Sequence, residues 1–354
     1  MVKIIETGEH KKQKKPQMKK FSSLIYRVLI SVFFFIMVPA HLNAQTRHPH
    51  DTTYYTTYPG SLTTRIYLSK KYTSVTLPSS DDHTTDIKYK TNDKLSLGIG
   101  ATYHNFSLNI GTSFGFLNPD EGKGTSKSIG LQLHLYPYKW AVDALVIFNK
   151  GHYLSPEGYA TNDPNTYYLR PDIKLNIAGV SAYRVPNAEK FSYHAAMIQN
   201  EWQKRSAGSL LYGGQAYFGL VKGDSALVPP QIEKSFGQAG VSHLKFFTGG
   251  AGLGYAYTWV IAKHFFIMGS GVMNVDLNYA SESGTTFSGN KVSVTAFPVF
   301  KTAIGYNSDK WDISANWAGT VLWVGAASTA ENYFFQTGNY RLIVARRVYL
   351  RKHK

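Results

Sequence analysis

The feature that most constrains this chain is an alternation of apolar and polar residues, repeated over many segments of about ten residues. In one segment Ile129, Leu131 and Leu133 alternate with Gly130 and Gln132. Successive side chains of a β-strand point to opposite faces, so this period predicts strands with one apolar face. Turn-forming residues separate the segments. The pattern predicts an all-β fold of antiparallel strands at residues 95–103, 106–111, 128–135, 140–148, 169–185, 193–203, 207–222, 244–260, 263–277, 291–307, 310–325 and 336–350.

These segments make about twelve strands, and the range is ten to fourteen, because residues 61–90 are compatible with a further hairpin. The connections bear on this number. In a bacterial membrane barrel, short turns gather at one end and long loops at the other. If 193–203 and 207–222 are two strands joined by a tight turn, the long loops of the two halves of the chain fall at opposite ends of the barrel. The rule therefore holds for the whole chain only if this region is not a simple hairpin, or if the strand count is wrong by one.

The first 44 residues have the three parts of a secretory signal peptide. Seven basic residues between Lys11 and Arg27 precede Val28–Ala40, an uncharged apolar run of 13 residues. Small residues then lead to a predicted cleavage after Ala44. The apolar run is shorter than the roughly 20 residues that a membrane-spanning helix needs, although an anchor helix over the same run is the alternative.

Alternation occurs both in soluble β-sandwiches and in transmembrane barrels, whose apolar strand face meets lipid. Three features favour the barrel: the export signal, the small residues on the polar face, and aromatic residues at strand ends, where interfacial girdles lie. The aromatic residues at predicted strand ends are Tyr103, Tyr136, Tyr138, Trp140, Tyr153, Trp259, Tyr306, Trp311, Trp323 and Tyr349. We therefore expect an antiparallel outer-membrane β-barrel.

The chain divides into three predicted parts. Residues 1–44 form the signal peptide with an N-terminal extension, residues 45–60 a mobile mature N-terminus, and residues 61–354 the barrel domain. Met1 and Met18 are both possible start positions, because the residues between them add only a polar extension.

Composition excludes several classes of protein. The chain has no cysteine, which excludes a disulfide scaffold, a cysteine nucleophile and a thiolate metal site. Without the signal peptide, 30 basic and 20 acidic residues remain, a net charge of +10. Nucleic acid is not the expected partner of this charge, since no DNA-binding motif is visible and an exported chain rarely meets nucleic acid. Anionic lipid headgroups and acidic solutes are better partners.

The parity of each strand predicts which polar residues face the lumen. In the strand 140–148, lipid-facing Val142 and Ala144 would turn Asp143 inward. The strand 169–185, with its isoleucines and leucine facing lipid, would likewise turn its charged residues inward. The residues predicted to face the lumen are Asp143, Asp172, Lys174, Arg184, Glu201, Arg205, Asp312, Arg341 and Arg347. Such a lumen is either a polar pore or pocket biased toward anions, or a barrel filled by its own salt bridges.

Five short stretches carry a resemblance to a known family. They are Tyr136–Asp143 (YPYKWAVD), Lys150–Leu154 (KGHYL), Leu169–Lys174 (LRPDIK), Lys190–Ala196 (KFSYHAA) and Gln203–Ser209 (QKRSAGS). Together they resemble an uncharacterised family of Bacteroidota proteins, the domain of unknown function 4421, over roughly residues 50–350. The resemblance implies an exported outer-membrane β-barrel. It implies no activity and no catalytic residues.

The expected function is therefore that of a non-enzymatic envelope protein, either a narrow pore for small polar or anionic solutes or a structural barrel. The alternatives are an outer-membrane lipid-modifying enzyme and a soluble periplasmic ligand-binding barrel. We expect no cofactor, and two histidines beside Asp51 in a predicted tail are too weak a pattern for a metal site. The expected partners are outer-membrane lipid, the outer-membrane assembly machinery and small polar or anionic solutes.

Overall fold

The computed structural model describes residues 49–79, 86–103, 106–285 and 287–349. The predicted signal peptide and the predicted turn at His104–Asn105 lie outside the described residues. In the described ranges there is no helix both long and apolar enough to cross a membrane.

The described chain is built almost entirely from β-strands, as predicted. The strands are β1 (Tyr55–Thr57), β2 (Ser61–Leu77), β3 (Ile87–Lys90), β4 (Ser96–Tyr103), β5 (Phe106–Ser113), β6 (Lys127–Leu135), β7 (Trp140–Ser155), β8 (Leu169–Arg184), β9 (Glu201–Gln203), β10 (Ala207–Lys222), β11 (Val241–Ile261), β12 (Phe265–Gly284), β13 (Ser288–Asn307), β14 (Trp311–Gly325) and β15 (Asn332–Tyr349). Short helical turns occur at Gly115–Leu117, His194–Ile198 and Pro230–Ser235.

Ten of these strands close into an antiparallel barrel. The hydrogen-bonded order runs from β2 through β15, β14, β13, β12, β11, β10, β8, β7 and β3, and returns to β2. The first and last barrel strands meet along almost their whole length, from Tyr349 opposite Ser61 to Phe334 opposite Thr76. Closure pairs the first and last strands of the ring with each other, as a sheet in a membrane requires.

The wall divides where β2 and β7 separate. Near their C-terminal ends both strands pair with β3, which bridges them. Further along, β2 pairs with β4 and β4 with β5, while β7 pairs with β6. No ladder joins β5 to β6 in the described chain. The wall therefore widens and contains an opening between β5 and β6, which we call the side slot.

The outer surface is that of a transmembrane barrel. On β12 the outward Val275 and Leu277 are 57% and 59% exposed, whereas the inward Asn274 and Asp276 are 0% exposed. A soluble protein would show the reverse arrangement. Apolar side chains meet lipid and polar side chains the interior, as in outer-membrane barrels.

Two levels of outward aromatic residues mark the edges of this apolar surface. Trp259 and Trp311 lie near one end, and Phe247 and Trp323 lie near the other. Twelve residues separate the two members on each strand. At about 3.4 Å per residue and a tilt of about 40°, this spacing spans about 30 Å, the thickness of a bilayer core.

The two ends of the barrel differ in their connections. The short-turn end carries the tight turns at residues 262–264 and 308–310, together with residues 185–206, which we call the inner segment. The long-loop end carries the connections 156–168, 223–240 and 326–331.

Both ends of the lumen are filled. At the long-loop end, Leu227, Val228 and Phe236 of the connection 223–240 join a large apolar cluster with inward residues of the wall. At the short-turn end, Tyr193 and Ile198 of the inner segment pack against a second cluster. The axis of the barrel is therefore occupied by protein at both ends.

The predicted strand at 193–203 is wrong. His194–Ile198 forms one turn of π-helix, and only Glu201–Gln203 is a strand, which pairs with β1 outside the barrel wall. The inner segment thus replaces the predicted tight turn between two wall strands. Apart from the inner segment itself, the long connections of the described chain then fall at one end, and the two halves of the chain no longer have opposite parity.

Closure between β2 and β15 can be tested with cysteines, because the chain has none of its own. Ile66 lies opposite Val344 with both side chains outward, so the pair Ile66→Cys and Val344→Cys should form a disulfide on oxidation. In the control pair, Ile66→Cys and Ile343→Cys, the second side chain points inward, and no disulfide is expected. Cross-linking would be measured by gel migration. Equal cross-linking of both pairs would contradict the register.

Candidate functional site

Three cationic side chains lie inside the barrel behind the side slot. Arg65, Lys71 and Arg341 come from β2 and β15, which pair with each other directly. In the described residues none of the three has a carboxylate within ion-pair distance. The interior next to the slot is therefore strongly basic.

Arg65 ties the slot wall to the inner segment. One guanidinium nitrogen donates to Ser107 Oγ at 3.1 Å on β5, and the other donates to the carbonyl oxygen of Ile198 at 3.0 Å. It also donates to Thr102 on β4. Arg65 thus fixes the β4–β5 hairpin against the filled lumen. Its two terminal guanidinium nitrogens already have hydrogen-bond acceptors within the protein.

Arg341 has fewer hydrogen-bond partners than Arg65 in the described chain. Its guanidinium lies 5.8 Å from the centre of the Tyr67 ring, and its Nε is buried with no hydrogen-bond partner in the described chain. The Tyr67 ring stands over Gly98 and reaches Gly111 on β5, where a Cβ would meet the hydroxyl at 3.1 Å. An arginine with unused donors, stacked beside an opening, is suited to bind an oxyanion.

Lys71 extends toward the other side of the slot. Its Nζ lies 3.4 Å from the carbonyl oxygen of Gly130 on β6, and the residue remains exposed although it faces inward. Asp93, the carboxylate that acts on Lys71 electrostatically, accepts hydrogen bonds from Ser128 and Thr91. Lys71 is thus accessible at the mouth of the slot.

A second charged group lies deeper in the lumen. Asp143 on β7 accepts a hydrogen bond from Lys301 on β13, and its other oxygen lies 2.6 Å from His134 Nδ1. Lys301 also lies between the rings of Tyr136 and Tyr193, at 5.1 and 5.2 Å from their centres. This pair joins opposite walls of the barrel and the inner segment.

An internal cavity of about 70 Å³ separates the two groups. Gln132 and His134 of β6 border it on the slot side, and Arg341, Lys301 and Asn316 border it elsewhere. A space of this size holds one or two water molecules or a small anion. Its polar lining contains more cationic than anionic side chains.

Arg347 and Asp312 lie at the short-turn end. Arg347 donates to the carbonyl oxygens of Gln199 at 2.7 Å and Glu201 at 2.9 Å, and so holds the inner segment in place. Asp312 is 1% exposed and accepts a hydrogen bond from Ser314 at 2.8 Å. Their contacts are structural.

Four of the nine residues predicted to face the lumen therefore do so: Asp143, Asp312, Arg341 and Arg347. On β8 the predicted assignment of the inner and outer faces is inverted. Asp172, Lys174 and Arg184 lie on the outer face, whereas Ile173, Leu175 and Ile177 are buried inside. The physical reason is that the lumen near the long-loop end is an apolar core, so the apolar face of β8 points inward there.

Glu201 and Arg205 are also not lumen-wall residues. Glu201 is in β9 and accepts a hydrogen bond from Ser192. Arg205 is exposed near the ring of Tyr54, at 6.0 Å from its centre. Both fall in the inner segment, which forms no strand of the barrel wall.

Sequence reasoning missed Arg65, Lys71 and Lys301. Lys301 could have been found, because it alternates with the outward Phe300 and Thr302 on a predicted strand. Arg65 and Lys71 lie in residues 61–90, to which no parity was assigned. The structure places no metal-binding group of three His, Asp or Glu residues anywhere in its described ranges. His48 lies outside them.

The Lys301–Asp143 pair gives a stability prediction. Lys301→Met should lower the free energy of unfolding by about 3 kcal/mol, because it leaves a buried carboxylate without its main cation. Urea unfolding of the purified protein would measure it. The control is Lys310→Met in an exposed turn, expected to change stability by less than about 0.5 kcal/mol. Equal effects of the two substitutions would contradict the role of the pair.

Comparisons with known proteins add the following. No protein of curated function matches the chain by sequence. Among solved structures, the outer-membrane-expressed OmpT of Vibrio cholerae is 10% identical, with a TM-score of 0.27, over 81% of this chain and 98% of that chain. A Pseudomonas aeruginosa FadL homologue is 8% identical, with a TM-score of 0.23, over 87% and 96%. The P. putida toluene transporter TodX is 10% identical, with a TM-score of 0.19, over 84% and 92%.

Similarity at this level carries no information on function. The sequence match is different in kind. The model of the family described as "Domain of unknown function (DUF4421)" matches residues 49–345, which is most of the chain. The protein therefore belongs to the DUF4421 family.

Proposed function

We propose that this outer-membrane barrel takes small anions into its interior through the side slot and does not conduct solutes along its axis. The observation that carries the proposal is the slot itself, which opens directly beside Arg341 and Lys71. The ligand class is a small oxyanion, such as phosphate or a carboxylate.

The filled axis is the first support. The inner segment closes the short-turn end through the hydrogen bonds of Arg347, Arg65 and Asn316 to its carbonyl groups. The connection 223–240 closes the long-loop end, where Tyr89 donates to the carbonyl oxygen of Leu227 at 2.7 Å. A ten-stranded barrel has little interior space, and here both mouths are packed.

The second support is the free-energy cost of leaving a strand edge unpaired in lipid. Outward residues beside the slot are apolar and exposed: Ile110 on β5 is 65% exposed, and Ile129 on β6 is 69% exposed. The slot therefore lies in the lipid-facing part of the wall. Unpaired backbone groups cost several kcal/mol each in lipid, so an open edge is retained only where it serves a purpose.

The charges behind the slot are the third support. On the inner face of β5 and β6 the residues are polar or glycine, and Asn109, Gly111 and Ser128 beside the opening are exposed. Arg341 offers unused donors, and Lys71 offers an accessible ammonium group. Neighbouring cations repel each other, and an anion bound between them removes that repulsion.

Further parts of the proposal come from the sequence. The signal peptide is cleaved near Ala44, the assembly machinery of the outer membrane inserts the chain, and the source is a member of the Bacteroidota. The short-turn end faces the periplasm and the long-loop end faces outward, following the usual orientation of bacterial barrels.

Anion binding tests the proposal. Calorimetric titration of the purified protein in neutral detergent with inorganic phosphate should show binding. Arg341→Gln should weaken this binding by about tenfold or more, because it removes a charge-assisted hydrogen bond. The matched control is Arg184→Gln, which removes an arginine that lies outside the lumen over the Trp140 ring.

Equal phosphate affinity of the wild-type protein and Arg341→Gln would contradict the site. Discrete conductance steps from the wild-type protein in a planar bilayer would contradict the closed axis.

A further inference from the structure

Four lysines on four neighbouring strands lie side by side on the barrel wall. Lys127 on β6 is opposite Lys150 on β7, Lys150 is opposite Lys174 on β8, and Lys174 is opposite Lys222 on β10. Side chains of directly opposite residues share a face, with Cβ atoms about 5 Å apart. We call these four residues the lysine row.

The lysine row is on the outer face. On each of three strands the residue next to the lysine is buried inside the barrel: Asn149, Ile173 and Val221. On β6 the apolar Ile129, two residues from Lys127, is 69% exposed and fixes the outward parity of that strand. All four ammonium groups therefore project from the wall away from the lumen.

The positive charge of the row is not compensated. None of the four lysines forms an ion pair within the part of the chain that the structure describes. Like charges directly opposite each other destabilise a sheet, and here three such contacts follow in sequence. Anions lying against the row would relieve this repulsion.

The position of the row along the barrel axis indicates which anion it meets. Ile129 and Phe148 stand two residues from Lys127 and Lys150 on the same face, toward the short-turn end, and both belong to the exposed apolar surface. Beyond the row lies the connection 223–240 of the long-loop end. The lysines thus stand at the edge of the lipid-facing band, where the headgroups of a surrounding bilayer lie.

We propose that the lysine row binds the phosphate groups of anionic lipids in the leaflet around the long-loop end. This binding goes beyond the uptake of anions proposed above and does not depend on the side slot. Lysine binds phosphate as a point charge, and a line of four suits a lipid layer, whose phosphates are arranged along the barrel wall.

The test uses thermal unfolding of the purified protein in neutral detergent micelles, with phosphatidylglycerol or phosphatidylcholine added. Phosphatidylglycerol should raise the unfolding midpoint by about 2 °C for each lysine of the row, and phosphatidylcholine should not. The double variant Lys150→Gln and Lys174→Gln should lose about half of this rise. In plain neutral detergent the same variant should unfold at a higher temperature than the wild type, because repulsion is relieved.

Two control variants separate charge from other effects. Lys150→Arg with Lys174→Arg keeps the charge and should keep the rise. Lys263→Gln with Lys310→Gln removes two exposed lysines at the short-turn end and should also keep it. An equal rise in the wild type and the row variant would overturn the proposal. So would an equal rise with inorganic phosphate in place of lipid, since that would show binding of free anions only.

Discussion

The pairing of every strand edge is the constraint on which this structure depends. Backbone groups inside a bilayer have no water to bond, so a sheet in lipid must close on itself. Here β15 returns to β2 over sixteen residue pairs, from Tyr349 opposite Ser61 to Phe334 opposite Thr76. At the long-loop end β3 completes the ring between β2 and β7. The outer edges of β5 and β6 are the exception in the described wall, because neither edge has a partner strand. The side slot is the opening between these two edges.

The lumen is filled by two different kinds of interaction. Near the long-loop end the filling is apolar, and Phe246 and Phe335 pack with ring centres 4.7 Å apart. Near the short-turn end a second apolar cluster is combined with polar contacts, in which inward arginines hold the carbonyl groups of the inner segment. The Lys301–Asp143 pair lies where the polar filling meets the small cavity. The small cavity is bordered by Gln132 and His134 of β6 and by Arg341, a cation that the protein leaves partly unused.

The fold could be predicted from local pattern, because lipid on one side and a packed lumen on the other impose a period of two. The parity of β7 could also be predicted, since Asp143 is the only charged residue in a run of apolar neighbours. On β8 the same reasoning fails, because Ile173 and Leu175 face an apolar lumen and Lys174 faces outward. Alternation shows that two faces differ, but it does not show which one is inside.

The inner segment and the slot depend on contacts that local pattern does not contain. His194–Ile198 lies within a segment that was predicted to be a strand, yet it is a helical turn held by Arg347, Arg65 and Asn316 from three distant strands. The slot is the absence of a pairing between β5 and β6, and each of these strands has a regular alternation of its own. The cationic residues behind the slot come from β2 and β15, which lie at opposite ends of the barrel sequence.

Amide hydrogen exchange, resolved by residue, tests the central claim most directly. If the slot is open, alternate amides of β5 and β6, those on the edges that face each other, exchange rapidly. Amides of β12 and β13, which pair on both sides, stay protected under the same conditions. Protection across residues 106–113 and 127–135 equal to that of β12 and β13 would show that the wall is closed there, and would contradict entry of a ligand from the side.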